Sequence, residues 1–123
     1  MIWIDYKDST PIYEQIVNRF KNLIVRGILK ADDKMPSVRN LAIELSINPN
    51  TIQKAYMMLE QQGFIYTVKG RGNFVAAGSE LMDIKKREII DKLEAVANEA
   101  KEAGLDIRKL VDEMLNNKEG ERV

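Results

Sequence analysis

The sequence contains no cysteine and no histidine. Without thiols there are no disulfides and no thiolate chemistry, which suits a reducing cytoplasm. Without imidazole the commonest general base is missing, and with cysteine also gone the usual transition-metal sites are excluded. A carboxylate-only site for Mg²⁺ or Mn²⁺ has no motif behind it, so no metal and no cofactor is expected. No apolar run approaches the length that crosses a bilayer. The opening Met1-Ile2-Trp3-Ile4-Asp5 has no basic stretch ahead of an apolar core, so no signal peptide is expected either. Nothing points to an enzyme beyond scattered carboxylates, for which solvated helix faces are the ordinary explanation.

Net charge is lacking too, at +0 over 123 residues. The balance hides a split. Residues 1–78 hold ten basic and seven acidic residues, a net +3, and residues 79–123 hold nine and twelve, a net −3. Such a small imbalance is a weak signal alone, but the basic half is the one that carries a motif. The remainder of the composition, 45% hydrophobic and 31% charged, is that of an ordinary globular chain.

Helix starts are legible. Thr10-Pro11 offers an N-cap followed by proline at the first helical position, with Glu14 in the first turn. Ile12, Ile16, Phe20, Leu23 and Ile24 then recur at helical spacing until Gly27. After a polar link, Pro36-Ser37 opens a second, short helix whose inner face is Leu41, Ala42 and Leu45. Asn48-Pro49 repeats the cap-then-proline device, opening a third helix with Ile52, Ala55, Tyr56 and Leu59 inside and Gly63 to stop it. So short a turn between the second and third helices forces them to cross steeply, as in a helix-turn-helix.

Beyond Gly63 the period changes. Phe64-Ile65-Tyr66-Thr67-Val68 and Asn73-Phe74-Val75 are strand-like, and Lys69-Gly70-Arg71-Gly72 between them is a hairpin tip with two cations. Trp3 and Tyr6 are expected to pack an N-terminal strand on the core, and Met57-Met58 to be partly buried packing. From Ser79 a long helix carries the apolar stripe Leu81, Ile84, Ile89, Leu93, Val96 and Ala100. Gly104 breaks it, and Asp106 caps a last helix with Ile107, Leu110, Val111 and Met114. The expected fold is mainly α with a small β-hairpin wing: a winged helix-turn-helix over residues 1–78 and a C-terminal α-helical dimerisation tail over 79–123.

Met35-Pro36-Ser37-Val38-Arg39, Leu41-Ala42, Leu45, Asn50-Thr51-Ile52, Ala55-Tyr56, Leu59, Gly63-Phe64-Ile65 and Gly70-Arg71-Gly72-Asn73-Phe74-Val75 together resemble the GntR family of bacterial regulators. Pro11-Ile12-Tyr13 and Asn48-Pro49-Asn50-Thr51 resemble its YtrA-type branch, whose C-terminal part is only a pair of helices. The likeness is close over about residues 10–76 and rests on length and pattern in the tail. A long ordered string of matches is specific where one short motif is not. Two positions depart from the family. Ser46 stands in the helix-helix turn where many members have glycine, which puts slight strain there. Pro49 stands where many place a basic residue, so a base contact common in the family is missing and its DNA sequence cannot be borrowed.

The resemblance implies a double-stranded DNA partner, and the residues supply candidates. Arg39, near the start of the third helix, can grip a phosphate or a guanine edge; a surface ion pair with Glu44 is the plainer alternative. Asn48, Asn50, Thr51, Gln53 and Lys54 form the exposed first turns of helix 48–62, the part that enters a major groove. Asn50 and Gln53 suit adenine edges and Lys54 a phosphate, while Asn48 serves mainly as a cap. Lys69, Gly70 and Arg71, in the wing 69–72, can approach a minor groove; two cations in a turn are most often only solvated.

The 45 residues from Ser79 onward are too few to close a metabolite pocket alone. An amphipathic helix pair so short must bury its stripe elsewhere, either on its own winged domain or on a second copy. The YtrA-type resemblance favours a homodimer, with Leu81, Ile84, Ile89, Leu93, Val96, Leu110 and Met114 in the interface. The function read from these residues is a dimeric repressor on a palindromic operator. A winged-helix protein-interaction module with an incidental basic wing is the alternative.

Overall fold

Apolar side chains three and four residues apart share one face of a helix, and that face decides the packing. In the computed structural model, which describes residues 2–77 and 80–121, Ile16, Phe20 and Ile24 form the buried face of α1 (Ile12–Val25). That face meets Ile52, Ala55, Tyr56 and Leu59 of α3 (Pro49–Gln61), and Leu41 and Ala42 of α2 (Val38–Leu45) complete the helical core. Phe20 and Tyr56 meet edge to face, 5.7 Å between ring centroids, a favoured aromatic geometry. The Tyr56 hydroxyl donates to the Pro36 carbonyl at 2.7 Å. Burial holds the Tyr56 phenol well above its ordinary range, so it stays a donor.

The sheet is a two-stranded antiparallel hairpin, β1 (Ile65–Val68) with β2 (Gly72–Val75), in the register Ile65 to Val75 and Val68 to Gly72. Ile65 and Val75 point into the core while the other strand residues face outward or sit half-buried. The segment before α2 pairs with β2's other edge: Met35 N–H donates to Asn73 O and Val75 N–H to Asp33 O. Phe64 seals the underside, fully buried, with the Lys21 amine 5.2 Å from its ring centroid.

Two expectations fail at the N-terminus. Trp3 and Tyr6 do not pack a strand on the core: they are 60% and 69% exposed, and the segment is not a strand. The only sheet edges among the described residues belong to a short hairpin, one of them already taken by residues 32–35. Polar bonds tie the segment down instead. Gln15, buried in α1, accepts from Asp5 N–H and donates to the carbonyls of Asp5 and Thr10. Ile2 is the apolar anchor, and Trp3 lies under the Arg19 guanidinium, 3.9 Å from the ring centroid, a cation–π contact. Thr10 is not the cap of α1 either. Pro11 occupies that position without a side-chain bond, while the Thr10 N–H donates to Asp8 at 2.9 Å and bonding to Thr10 holds that carboxyl below its usual range.

The chain forms two compact units, one up to Met82 and one from Asp83. The boundary expected between Gly78 and Ser79 lies outside the described residues. α4 (Glu80–Glu102) ends before Gly104, whose φ is +75°, and Asp106 accepts from Arg108 N–H to start α5 (Ile107–Glu121). Among the described residues no helix is long and apolar enough to cross a membrane.

Candidate nucleic-acid interface

Caps set the position of every candidate side chain on the helix-turn-helix. Ser37 Oγ accepts from Asn40 N–H at 3.0 Å, which fixes the start of α2 and puts Arg39 in its first turn. Asn48 Oδ1 accepts from Asn50 N–H at 2.8 Å, and Pro49 follows at the first helical position, where its fixed φ suits the helix. Asn48 therefore acts as the cap, its amide oxygen spent on the backbone. Between the two helices Ser46 turns the chain in the left-handed region, φ 54° and ψ 46°. Ile47 N–H then reaches back to Ala42 O at 3.0 Å, closing the end of α2.

This arrangement presents the first turns of α3 outward. Asn50, Gln53 and Lys54 are exposed, Thr51 is half-buried, and Ile52, Ala55 and Tyr56 face the core. Arg39 is exposed beside them, sharing one groove with Pro49, and among the described residues it makes no ion pair with Glu44. Met57 is half-exposed and Met58 partly buried. Lys54 has a neighbour that the sequence reading did not find: its amine lies 3.9 Å from the centroid of the Tyr13 ring, within cation–π range. No local spacing links residues so far apart. The ring holds the cation over the start of α1, where it remains exposed.

Lys69, Gly70 and Arg71 are all exposed at the β1–β2 turn. Gly70 and Gly72 have φ of +79° and +119°, and a Cβ at Gly72 would come within 3.4 Å of Lys34 Cε. The tip therefore needs glycine. The base of the wing is braced. Tyr66 stacks on Phe74 at 5.6 Å, and its hydroxyl donates to Asp32 at 2.7 Å, which raises its pKa. The Thr67 hydroxyl donates to Glu60 of α3 at 2.9 Å and lies 2.7 Å from the Asn73 amide oxygen. The hairpin is thereby tied to α3 at its base while its cations stay free of the core.

The candidate tail residues sort differently. Leu81 is buried and Ile84 and Leu110 are half-buried, whereas Ile89, Leu93, Val96 and Met114 are exposed. Leu105, Val111 and Leu115 are exposed as well.

Two packed helices joined by a short left-handed turn and followed by a basic hairpin form the winged helix-turn-helix class of DNA-binding domain. Comparison with known proteins leads to the same class and narrows it. Residues 12–75 match the family described as bacterial regulatory proteins, gntR family. The chain is 45% identical over 112 residues to the HTH-type transcriptional repressor YtrA of Bacillus subtilis (strain 168), covering 89% of this chain and 86% of that protein. Among solved structures, a GntR family transcriptional regulator from Listeria monocytogenes is 37% identical with a TM-score of 0.72, covering 92% of this chain and 98% of that one. The DNA-binding domain of AraR in complex with operator ORE1 is 30% identical with a TM-score of 0.53, covering 62% of this chain and 93% of that one. The chain belongs to the GntR family, on its YtrA-type branch, and is a transcription regulator rather than an enzyme.

Proposed function

We propose that the protein is a homodimeric repressor, working in the cytoplasm, that binds a palindromic operator through two winged units. In this reading residues 1–78 read DNA and residues 79–123 join the two copies. Asn50 and Gln53 meet base edges in the major groove, where amide side chains pair with adenine. Arg39 and Lys54 meet phosphate or guanine, and Lys69 and Arg71 straddle the adjacent minor groove, with the glycines allowing close backbone approach. The observation that carries the reading is the first turn of α3: capped by Asn48, open to solvent at Asn50 and Gln53, and flanked by Arg39. Likeness to the AraR domain in complex with its operator supports DNA binding by the winged unit here.

The dimer is supported by the apolar side chains left uncovered on α4 and α5, with Leu93 59% exposed, a surface of the kind that marks an interaction site. Two half-sites read at once make the second contact intramolecular, which gives a small domain operator specificity. The test is enrichment of bound duplexes from a random-sequence pool. The expected outcome is an inverted repeat, and a pool that stays random after repeated rounds would overturn the reading.

A further inference from the structure

Beside the first turn of α3 lies an open groove of about 690 Å³ whose walls are largely apolar. Val38 and Ile43 of α2, Ile47 of the turn and Pro49 of α3 supply its apolar lining, and Arg39 and Ser46 its polar groups. Ile43 is 68% exposed, and isoleucine is among the residues most often buried. The groove adjoins the candidate interface, because Arg39 belongs to both and Pro49 is next to Asn50 in α3. A duplex seated on Asn50 and Gln53 therefore comes close to Pro49.

Pro49 is exposed and, being proline, has no N–H to offer a base. Its ring presents only carbon, and so do the Val38, Ile43 and Ile47 side chains behind it. Along the floor of a major groove the base edges carry hydrogen-bonding groups, with one apolar exception, the C5-methyl of thymine. A polar base-edge group set against the Pro49 ring itself would lose water and gain no partner from it, since the polar groups of the groove belong to Arg39 and Ser46. The C5-methyl of thymine, unlike the O4 beside it, has no hydrogen bond to water to lose there.

We propose that Pro49 and the groove behind it read a thymine methyl in each operator half-site, so that this position of the recognition helix selects T by apolar contact. The inference rests on the DNA-reading role of α3 argued above. Burying one methyl group corresponds to roughly fourfold in affinity, hence about fifteenfold when both half-sites of a dimer lose it.

The probe is the duplex enriched by the full-length protein, with thymines replaced one symmetric pair at a time by deoxyuridine, which removes the methyl and nothing else. Binding is read by fluorescence anisotropy for the wild type and for Pro49→Asn. The wild type is expected to lose about five- to twentyfold at one symmetric thymine pair, and Pro49→Asn to lose less than about twofold at that pair. Each penalty is a ratio measured within one protein, so a partly unfolded variant does not distort it. If no thymine pair is sensitive to methyl loss, the proposal is overturned while the DNA-reading role stands. If Pro49→Asn keeps the full penalty, the methyl is read elsewhere and the proposal is again overturned. If no duplex is enriched at all, the DNA-reading role fails first, and this inference with it.

Discussion

The two units of this chain solve the problem of apolar surface in opposite ways. The winged unit buries its large side chains internally: Phe20, Tyr56, Phe64 and Leu59 are all but sealed from solvent. The tail unit, with a comparable helical pattern, leaves Ile89, Leu93, Val96, Leu105, Met114 and Leu115 about half-exposed. The difference lies in geometry as well as in hydrophobicity, since α4 and α5 are on average more polar than α1, α2 and α3. Three helices packed on one another and closed by a hairpin enclose a core, whereas a helix pair presents a stripe with too little opposite it. A stripe of that kind needs a second surface, and a second copy has one of the right shape by symmetry. The charges divide along the same line, +3 for residues 1–78 and −3 for residues 79–123. In the proposed reading one unit meets a polyanion and the other meets a second copy of itself.

The largest expected effect tests the charge half of this contrast. If a dimer neutralises roughly six to ten phosphates, duplex affinity should fall by about 10³–10⁵ between roughly 50 and 200 mM salt. The whole of that slope should come from the winged units. Replacing Lys69 and Arg71 by alanine should reduce it evenly across DNA sequences, whereas Gln53→Ala should cost about 1–3 kcal/mol at one operator position. A nearly flat log-log salt dependence in an anisotropy titration would contradict a DNA-facing basic unit.

The next effect tests the apolar half. Truncation after Ala77 should leave a folded, monomeric winged unit, since all of its buried core except Leu81 lies before that point. Its affinity for a palindrome should drop by about 10²–10⁴ as the second contact stops being intramolecular. Leu93→Lys should do the same by placing a charge in the interface. Sedimentation equilibrium checks both, and a truncated chain that still dimerises would mean that the tail has been misread.

How much of this was legible beforehand follows the range of the interactions involved. Ser37, Asn48, Pro49, Gly63, Gly104 and Asp106 act within a turn of their own position, so helix limits could be read from them directly. The wing was readable for the same reason: glycines and β-branched residues act locally. Thr10 shows the limit, because the same dipeptide logic that works at Asn48-Pro49 fails where Asp8 is a better partner for the threonine. Trp3, Tyr6 and Lys54 show it further. Each finds a partner or solvent according to how distant elements pack, and neither the Arg19–Trp3 nor the Tyr13–Lys54 stack has any signature in spacing. The apolar groove was invisible for the same reason, since its walls come from two helices and the turn between them.

A smaller effect concerns the self-sufficiency of the winged core. Tyr56→Phe leaves the Pro36 carbonyl without its donor and should cost about 1–2 kcal/mol at neutral pH. The phenol's pKa is raised by folding, so the unfolded state loses the proton first. The stability tied to that proton is complete below about pH 10, the ordinary tyrosine value, and declines as pH rises toward the folded value. Tyr66 shifts in the same direction, so the comparison must be wild type against Tyr56→Phe. Denaturant melts from about pH 8 to 11 should show the wild-type advantage shrinking above about pH 10, and a constant gap would mean that the hydroxyl is not sealed in the core.

The smallest effect sits in the turn that sets the angle between α2 and α3. Ser46 is held at φ 54°. An L side chain there crowds the following carbonyl at a cost of roughly 1–2 kcal/mol. The family habit of glycine at this position has a physical basis, because glycine reaches that conformation without a Cβ penalty. Glycine also gives up more backbone freedom on folding, which takes back part of the gain. The net for Ser46→Gly should be about 0.5–1 kcal/mol of added stability, or roughly 2–8 °C in Tm for a unit of this size. The shift should be equal in the intact chain and in the chain truncated after Ala77, because the turn belongs to the unit that closes its own core. A gain that depends on the tail would break the contrast between a self-contained reader and a tail that needs a partner, and a loss in Tm would show that the serine side chain contributes more than its strained backbone costs.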